Sequence, residues 1–302
     1  MAEAASWRTK PLVSIVMGAY FVDPRWLEKC LDAIHQQTYS QFEVVVTLHP
    51  DLEEKSMAVL KKWAKKDQRI RLVTPEQLHG ATSLWNAGLR AAKGEYVLLV
   101  AGDDELPVHA LYHLMKPLQA DHQFDLIYGD EDTVQTDGTL INPHFKSDFN
   151  PDLLLSMNYF GHPVVFRRSL AESVGWLRED LDGAQEYDLW LRLVEKTQHI
   201  AHVPQVLYHQ RVSINSLADA FEKRAAFGQI QSQEVTAHPH HNGTIFPESE
   251  NLHPFAKHGT TKIQWAQSAT APLGQALFYW RAWPNLCVCP ELRNNGFSMN
   301  CK

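Results

Sequence analysis

The sequence has few cysteines and no excess of basic residues, and both shortages exclude classes of protein. It contains four cysteines in 302 residues, and Cys287, Cys289 and Cys301 crowd near its end. This pattern predicts neither a disulfide framework nor a paired Cys-x-x-Cys zinc site. Acidic residues outnumber basic ones, 35 to 28, for a net charge of −7. We therefore do not expect nucleic acid as a partner, because nucleic-acid binding usually requires a basic surface.

Long apolar runs are also missing. Residues 1–10 are polar and lack the apolar segment of a signal peptide, and no stretch approaches the length needed to span a bilayer. The hydrophobic fraction of 44% is that of an ordinary globular protein. We expect a cytoplasmic protein in a reducing environment.

Short apolar runs rich in β-branched residues alternate with amphipathic segments over the first 130 residues. The predicted strands are 12–17, 42–47, 70–74, 96–100 and 126–128. One predicted helix begins at Asp23-Pro24, and three more cover 53–65, 83–92 and 109–118. This alternation predicts an α/β fold, with a mostly parallel sheet covered by helices on both faces. Ligands of such sheets bind beyond the carboxyl ends of the strands.

The pattern changes after Gly129. Residues 130–140 resemble a hairpin that turns at Asp137-Gly138, and a helix at 187–196 lies between strands at 164–167 and 206–210. We expect a mixed second half with antiparallel edges. Beyond about Ser216 the periodicity weakens: 217–231 could form a helix, and 237–261 is rich in His, Pro, Asn and Gly. The expected domains are 1–216 and a C-terminal extension of unknown function, 217–302.

The acidic segment Gly102-Asp103-Asp104-Glu105 directly follows the predicted strand 96–100. Carboxylates at the end of a central strand suit Mg²⁺ or Mn²⁺, which takes oxygen ligands and is typically shared with substrate phosphates. A bound divalent ion would offset the charge of a departing diphosphate. The alternative is that Asp104 caps the following helix and Glu105 is solvated.

A second acidic cluster, 182–188, leads into the predicted helix 187–196. The helix dipole favours the charged form of a carboxylate at a helix start, and an ionised carboxylate can accept a proton from an incoming hydroxyl. The alternative is a capping arrangement with an internal ion pair to Arg192.

Six segments occur in a fixed order: LVSIVMGAY, FEVVV, GATSLWNAGLRAAKGEYVLLVAGDDEL, LIYGDEDTV, GAQEYDLWLRL and VLYHQR. Together they resemble a family 2 glycosyltransferase, from about Pro11 to Ser216. The similarity is greatest to bacterial enzymes that extend O-antigen or other cell-surface polysaccharide chains, including rhamnosyltransferase-like members. Several ordered motifs are far more specific than any one alone. The resemblance implies the GT-A fold, a Rossmann-like α/β architecture.

The resemblance also implies roles for individual residues. Glu186 matches the catalytic base. Asp103, Asp104 and His209 match residues that bind Mg²⁺ or Mn²⁺. The nucleotide-sugar site would be formed by Gly18, Ala19, Tyr20, Asp51, Gly80, Asn86, Asp103, Asp130 and Arg211. Glu131 and Asp132 fall near the donor sugar, and Gly88 completes an Asn-x-Gly motif.

The sequence departs from the family pattern at four places. Gly18-Ala19-Tyr20-Phe21 stands where Pro-x-Tyr-Asn is common, and Leu48-His49-Pro50-Asp51 replaces an acidic pair that reads the base. Ala101 replaces an Asp before the metal motif. Glu186 replaces an Asp, which lengthens the side chain by one methylene, about 1.5 Å, and Asp188 is the alternative base.

The implied function is inverting transfer of a hexosyl or deoxyhexosyl group from a UDP- or dTDP-sugar. The expected acceptor is a glycan or lipid-linked acceptor in polysaccharide synthesis, and a lipid-linked acceptor would bring the protein to the inner membrane surface. The alternative is a non-catalytic sugar-nucleotide or glycan-binding module derived from such an enzyme. A nucleotidyltransferase is disfavoured because no Gly-rich, Arg/Lys-bearing loop follows the first strand.

Overall fold

The structure is a computed structural model, and it describes residues 6–20, 22–75, 78, 80–181 and 183–211. The predicted extension 217–302, with its helix at 217–231, lies outside the described residues. The predicted boundary near Ser216 therefore stays a prediction.

Eight strands form one sheet in the described part of the chain. They are β1 (Val13–Ala19), β2 (Phe42–Leu48), β3 (Ile70–Val73), β4 (Tyr96–Leu99), β5 (Leu126–Val134), β6 (Leu140–His144), β7 (Val164–Arg167) and β8 (Ile200–Arg211). The strand order is β3-β2-β1-β4-β7-β5-β6, and β8 also pairs with β5. Strands β3, β2, β1 and β4 are parallel, β7 runs antiparallel to both β4 and β5, and β5 is parallel to β8.

Seven α-helices lie within the described residues. They are α1 (Pro24–His35), α2 (Glu54–Lys66), α3 (Ala81–Ala91), α4 (Ala110–Met115), α5 (Pro151–Ser156), α6 (Arg168–Ser173) and α7 (Gln185–Val194). Buried residues of α1, α2 and α4 pack on one face of the sheet, and those of α3, α5 and α7 on the other. This two-sided cover explains why β1 and β2 are apolar at nearly every position. None of the described helices is long and apolar enough to cross a bilayer.

The predicted α/β fold with a mixed second half is confirmed. The parallel half agrees with the predicted strands and helices to within about two residues at most ends. The hairpin is confirmed as well: Gln135 donates its N–H to the carbonyl of Thr139 at 2.9 Å, and Gly138 has φ +90°. The sequence pattern did not show β6, α5 and α6, which are short, and it underestimated the lengths of β5 and β8, which pair with each other from Leu126 and Ile200 to Val134 and Arg211.

Local sequence explains where the helices begin and how closely they pack. The Asp23 carboxylate caps α1 by accepting from the N–H of Arg25 at 2.8 Å, and Pro24 occupies the first turn. Gly88 of α3 faces β1 so closely that a Cβ there would lie 2.4 Å from Cγ1 of Val16. The Asn-x-Gly motif therefore has a packing reason for its glycine.

Candidate active site

The acidic turn after β4 is bonded to the end of β8. Glu105 and His209 exchange both backbone hydrogen bonds, at 3.0 and 2.9 Å. The Asp104 carboxylate accepts from the N–H of Arg211 at 2.7 Å and from the Tyr208 hydroxyl at 2.5 Å. Asp104 is only 4% exposed. Both of its oxygens therefore have protein donors, which favours Asp103 over Asp104 as the direct ligand of an ion.

The two aspartates of this turn lie in an environment that disfavours negative charge. Burial raises the pKa of Asp103. Burial and the neighbouring Asp103 together raise the pKa of Asp104 to about 7, against the lowering effect of its hydrogen bonds. A nearby positive charge, such as a divalent cation, would stabilise the ionised form of these two adjacent carboxylates.

Arg211 supplies one positive charge to this turn from within the protein. Its Nε donates to the carbonyl of Asp103 at 2.8 Å, its guanidinium forms an ion pair with Glu105, and its side chain is fully buried. The guanidinium carbon also lies 4.0 Å from the ring centroid of Trp26. In the structure its guanidinium holds the acidic turn together, and the contact of Arg211 with the diphosphate that the resemblance implies stays a prediction.

His209 is oriented by a carboxylate. Its Nδ1 lies 2.5 Å from Oδ1 of Asp132, and both side chains are largely buried. If Nδ1 carries the proton that Asp132 accepts, the lone pair of Nε2 is left for a ligand. Histidines that bind metals are usually oriented in this way.

Asp103 and His209 are residue types that can bind a divalent cation shared with a substrate. No group of three or more His, Cys, Asp or Glu side chains in the described part of the chain is arranged as a complete metal site. Mg²⁺ and Mn²⁺ do not need one, because substrate phosphates and water typically complete their shell. The raised pKa values of the aspartates and the orientation of His209 are both consistent with such an ion.

Glu186 lies at the start of α7 and contacts a histidine that the sequence analysis did not select. Its Oε2 is 3.0 Å from Nε2 of His162, and its side chain is 19% exposed. The His162 ring stacks on Tyr208 with a centroid distance of 4.9 Å, and the Tyr208 hydroxyl donates to Asp104. Two side chains, His162 and Tyr208, thus connect the predicted base to the acidic turn.

His162 lies in a cluster of carboxylates. Burial works against its protonation, but the nearby carboxylates of Glu186, Glu131 and Asp104 outweigh it and raise the pKa of His162 to about 9. His162 is therefore largely protonated at neutral pH and compensates part of the negative charge between the base and the acidic turn.

Asp188, the alternative base, has a structural environment. It is fully buried and forms ion pairs with Arg178 and Arg192. Nε of Arg192 lies 2.9 Å from Oδ2 of Asp188. The internal ion pair with Arg192 considered for this acidic cluster is therefore present, but on Asp188, while Glu186 faces His162. Glu186 stays the predicted base.

The side chain of Asn86 bonds to a neighbouring loop. Its Nδ2 donates to the carbonyl of Leu177 at 2.9 Å and to Glu179 Oε1 at 3.0 Å, and its Oδ1 accepts from the N–H of Leu177 at 3.1 Å. The resemblance placed Asn86 at the nucleotide sugar. In the structure it anchors the loop that leads from α6 to α7 and so to Glu186.

Asp130 is likewise engaged by the protein. Its Oδ1 accepts from the N–H of Lys146 at 3.0 Å and lies 3.0 Å from Nε2 of His202. Its side chain is 3% exposed. Glu131, the next residue along β5, faces His162 instead, with its Oε2 accepting the His162 N–H at 2.9 Å. Of these two neighbours, Glu131 is in contact with the site.

The residues predicted at the nucleotide lie at the carboxyl ends of β1 and β2. A Cβ on Gly18 would touch the Trp85 indole at 3.4 Å. Ala19 is buried, and Tyr20 is 39% exposed. The Tyr20 ring lies 4.3 Å from that of His49.

Two further predicted nucleotide-site residues flank this edge. The Asp51 carboxylate is 82% exposed, and the Asp51 N–H donates to Nδ1 of His49 at 3.1 Å. Gly80 precedes α3 with φ +123°, a conformation that favours glycine. Residues 76, 77 and 79 of the preceding loop are outside the described part.

Three residues of this region have contacts that the sequence did not predict: His162, Tyr208 and Lys146. Tyr208 lies inside the VLYHQR motif and could have been found as a polar-tipped ring beside the predicted His209. His162 precedes a proline and a buried strand, and its only sequence signal is a histidine between apolar residues. Lys146 gave no signal, since a lysine in a polar loop normally faces solvent.

The sequence is similar to those of known glycosyltransferases. The profile of the family described as "Glycosyl transferase family 2" matches residues 14–175. The O-antigen biosynthesis protein RfbC of Myxococcus xanthus is 34% identical over 202 residues, which are 67% of this chain and 16% of that protein. The chain spans 16–23% of the length of the curated relatives that share this identity.

Two solved structures share the fold. Staphylococcus aureus TarS 1-349 in complex with UDP-GlcNAc has a TM-score of 0.56 at 17% identity, covering 67% of this chain and 58% of that one. The mannosyltransferase PcManGT from Pyrobaculum calidifontis, in complex with GDP-Man and Mn²⁺, has a TM-score of 0.56 at 20% identity, covering 74% and 66%. The GT-A fold is therefore confirmed. The family profile matches more than half of the chain, and the protein belongs to glycosyltransferase family 2.

Proposed function

We propose that this chain transfers a glycosyl group from a nucleoside-diphosphate sugar to a hydroxyl of a growing glycan in cell-surface polysaccharide synthesis. The observation that carries the proposal is the line of contacts from Glu186 through His162 and Tyr208 to Asp104. These contacts support the proposal because they link Glu186 to the acidic turn 103–105 through two side chains. The name of the Myxococcus relative supports an O-antigen type of pathway.

The donor would lie across the carboxyl ends of β1, β2 and β4. The rings of Tyr20 and His49 would flank its base, since aromatic faces favour stacking. Asp103 and Nε2 of His209 would hold Mg²⁺ or Mn²⁺, which when bound offsets the charge of the departing diphosphate. We propose a UDP- or dTDP-sugar, with GDP-mannose as the competitor because PcManGT binds GDP-Man.

Glu186 would take the proton of the acceptor hydroxyl. The hydroxyl oxygen then forms the bond to the anomeric carbon with its electron pair. The bond to the diphosphate breaks on the opposite face, and its electrons leave with the diphosphate oxygen. This single displacement inverts the anomeric centre. A lipid-linked acceptor would require contact with the inner membrane surface.

The test begins with a thermal-shift screen of sugar nucleotides with and without Mn²⁺, because a ligand that binds only the folded state raises the unfolding temperature. The stabilising donor is then used to measure transfer. Glu186→Gln should bind the donor normally and lose transfer by at least about 100-fold. Glu172→Gln, on the exposed side of α6, is the matched control and should keep wild-type transfer.

The opposite result would favour the non-catalytic alternative. A donor that stabilises the wild-type protein but is neither transferred nor hydrolysed in the presence of Mn²⁺ and candidate acceptors would indicate a binding module. Equal transfer by Glu186→Gln and the wild-type protein would show that another group is the base.

A further inference from the structure

The side chain proposed as base is longer than the family's usual aspartate and needs a second contact to hold it. A glutamate has one more rotatable bond, and an unrestrained carboxylate would spread over several rotamers. Fixing such a side chain costs conformational entropy that a partner must offset. In the structure the hydrogen-bonded partner of Glu186 is His162, at 3.0 Å from Oε2.

His162 is itself held from several directions. Its backbone N–H donates to Oε2 of Glu131 at 2.9 Å, and its backbone carbonyl accepts from Nζ of Lys146 at 2.6 Å. Its ring stacks on the buried Tyr208. The residue before it, Gly161, has φ +44°, and a Cβ there would collide with Oε1 of Glu131. The backbone and ring of His162 therefore have little freedom.

Lys146 explains why this loop is rigid. Its side chain is fully buried, and its Nζ also donates to the carbonyls of Gly129 and Phe160, at 2.7 and 2.6 Å. The ammonium thus ties β5 to the loop that carries His162. A buried charge is retained only when it is paired and hydrogen-bonded in this way.

We propose that His162 is a positioning residue for Glu186: by holding Oε2, it leaves Oε1 for the acceptor hydroxyl and compensates for the extra methylene. The inference rests on the proposed function, because it assigns His162 a part in the same reaction. His162 acts through Glu186 and does not itself exchange a proton with the substrate.

The first test compares His162→Ala with His162→Gln. The alanine variant should lose about 10- to 100-fold in kcat, the range expected for misplacement of about 1 Å, while KM for the donor stays within about twofold. The glutamine variant keeps an N–H donor at a similar reach and should stay within about fivefold of the wild-type kcat. Circular dichroism and thermal unfolding establish that both variants are folded.

The matched control is His35→Ala. His35 Nδ1 lies 2.7 Å from Oδ2 of Asp67, so this variant also removes a histidine–carboxylate pair, but one at the end of α1. It should leave kcat unchanged even if it lowers the unfolding temperature.

A double-mutant cycle tests the compensation directly. Glu186→Asp should lower kcat strongly in the wild-type background, because the shorter side chain cannot keep both contacts. In the His162→Ala background, Glu186→Asp should lower kcat by less than a further factor of about three. The contact with His162 is already lost there, so the two effects are not additive.

The outcomes are distinct. A wild-type kcat in His162→Ala, or equal losses in the alanine and glutamine variants, would overturn the positioning role and leave the proposed function standing. Fully additive losses in the cycle would overturn it too. Absence of transfer by the wild-type protein with every donor would overturn both proposals.

Discussion

Replacing Asp188 by Asn should separate a structural carboxylate from the proposed base, Glu186, two residues earlier on the same helix. Asp188 is fully buried between Arg178 and Arg192. The substitution keeps the size of the side chain and removes its charge, so the buried guanidinium of Arg192 loses its partner. Removing one member of a buried ion pair typically costs 3–5 kcal/mol.

The contacts of Arg192 place the expected cost at the lower end of that range. The carbonyls of Val174 and Trp176 accept from its guanidinium at 2.8 and 2.7 Å and still solvate the charge. Arg178 is 39% exposed, so water can replace its part of the interaction. We expect a loss of about 3 kcal/mol, which for a domain of 150–250 residues lowers the unfolding temperature by roughly 6–12 °C.

The assay pairs stability with activity. Denaturant unfolding should show a larger loss in Asp188→Asn than in Glu186→Gln, which removes only the pairing of a partly exposed carboxylate with His162. Transfer per folded molecule should be largely kept in Asp188→Asn and lost in Glu186→Gln. Unfolding of Asp188→Asn at the wild-type denaturant concentration would refute the stability argument, and a loss of transfer as complete as that of Glu186→Gln would return Asp188 to consideration as base.

Three other changes are expected to have measurable effects. Gly161→Ala should destabilise the protein by about 1–3 kcal/mol in denaturant unfolding, since the residue has φ +44° and its Cβ would collide with Glu131; wild-type stability would contradict the local geometry. The pKa of His162 rises from 6.5 to about 9 on folding. Its contribution to the free energy of unfolding is therefore complete below about pH 6.5 and is lost as the pH rises through 9. This amounts to up to about 3 kcal/mol, and unfolding measured across pH should show a flatter profile in His162→Gln. Asp103→Asn and His209→Gln should each weaken the Mn²⁺-dependent part of donor binding in calorimetry, whereas unchanged Mn²⁺ dependence in both would exclude these ligands.

The periodicity of the sequence was sufficient to predict the parallel half of the sheet. Strands such as β1 and β2 are buried on both faces, so their sequences are apolar at nearly every position, and Asp23-Pro24 marks a helix start through local capping. The ordered motifs also identified the family, because several matches across two hundred residues exclude coincidence. Strand burial and helix capping depend on burial or on neighbouring residues in the chain, and each is visible in the local sequence.

Tertiary structure alone decided which protein groups the polar residues of these motifs contact. Arg211, Asn86, Asp104 and Asp130 belong to motifs that suggest ligand contacts, yet their side chains bond to protein groups from other segments of the chain. His162 shows the converse, since nothing near it in sequence indicates that folding brings it to Glu186. A hydrogen bond depends on positions in space, and residues far apart in the chain acquire those positions only when the sheet and its helices assemble.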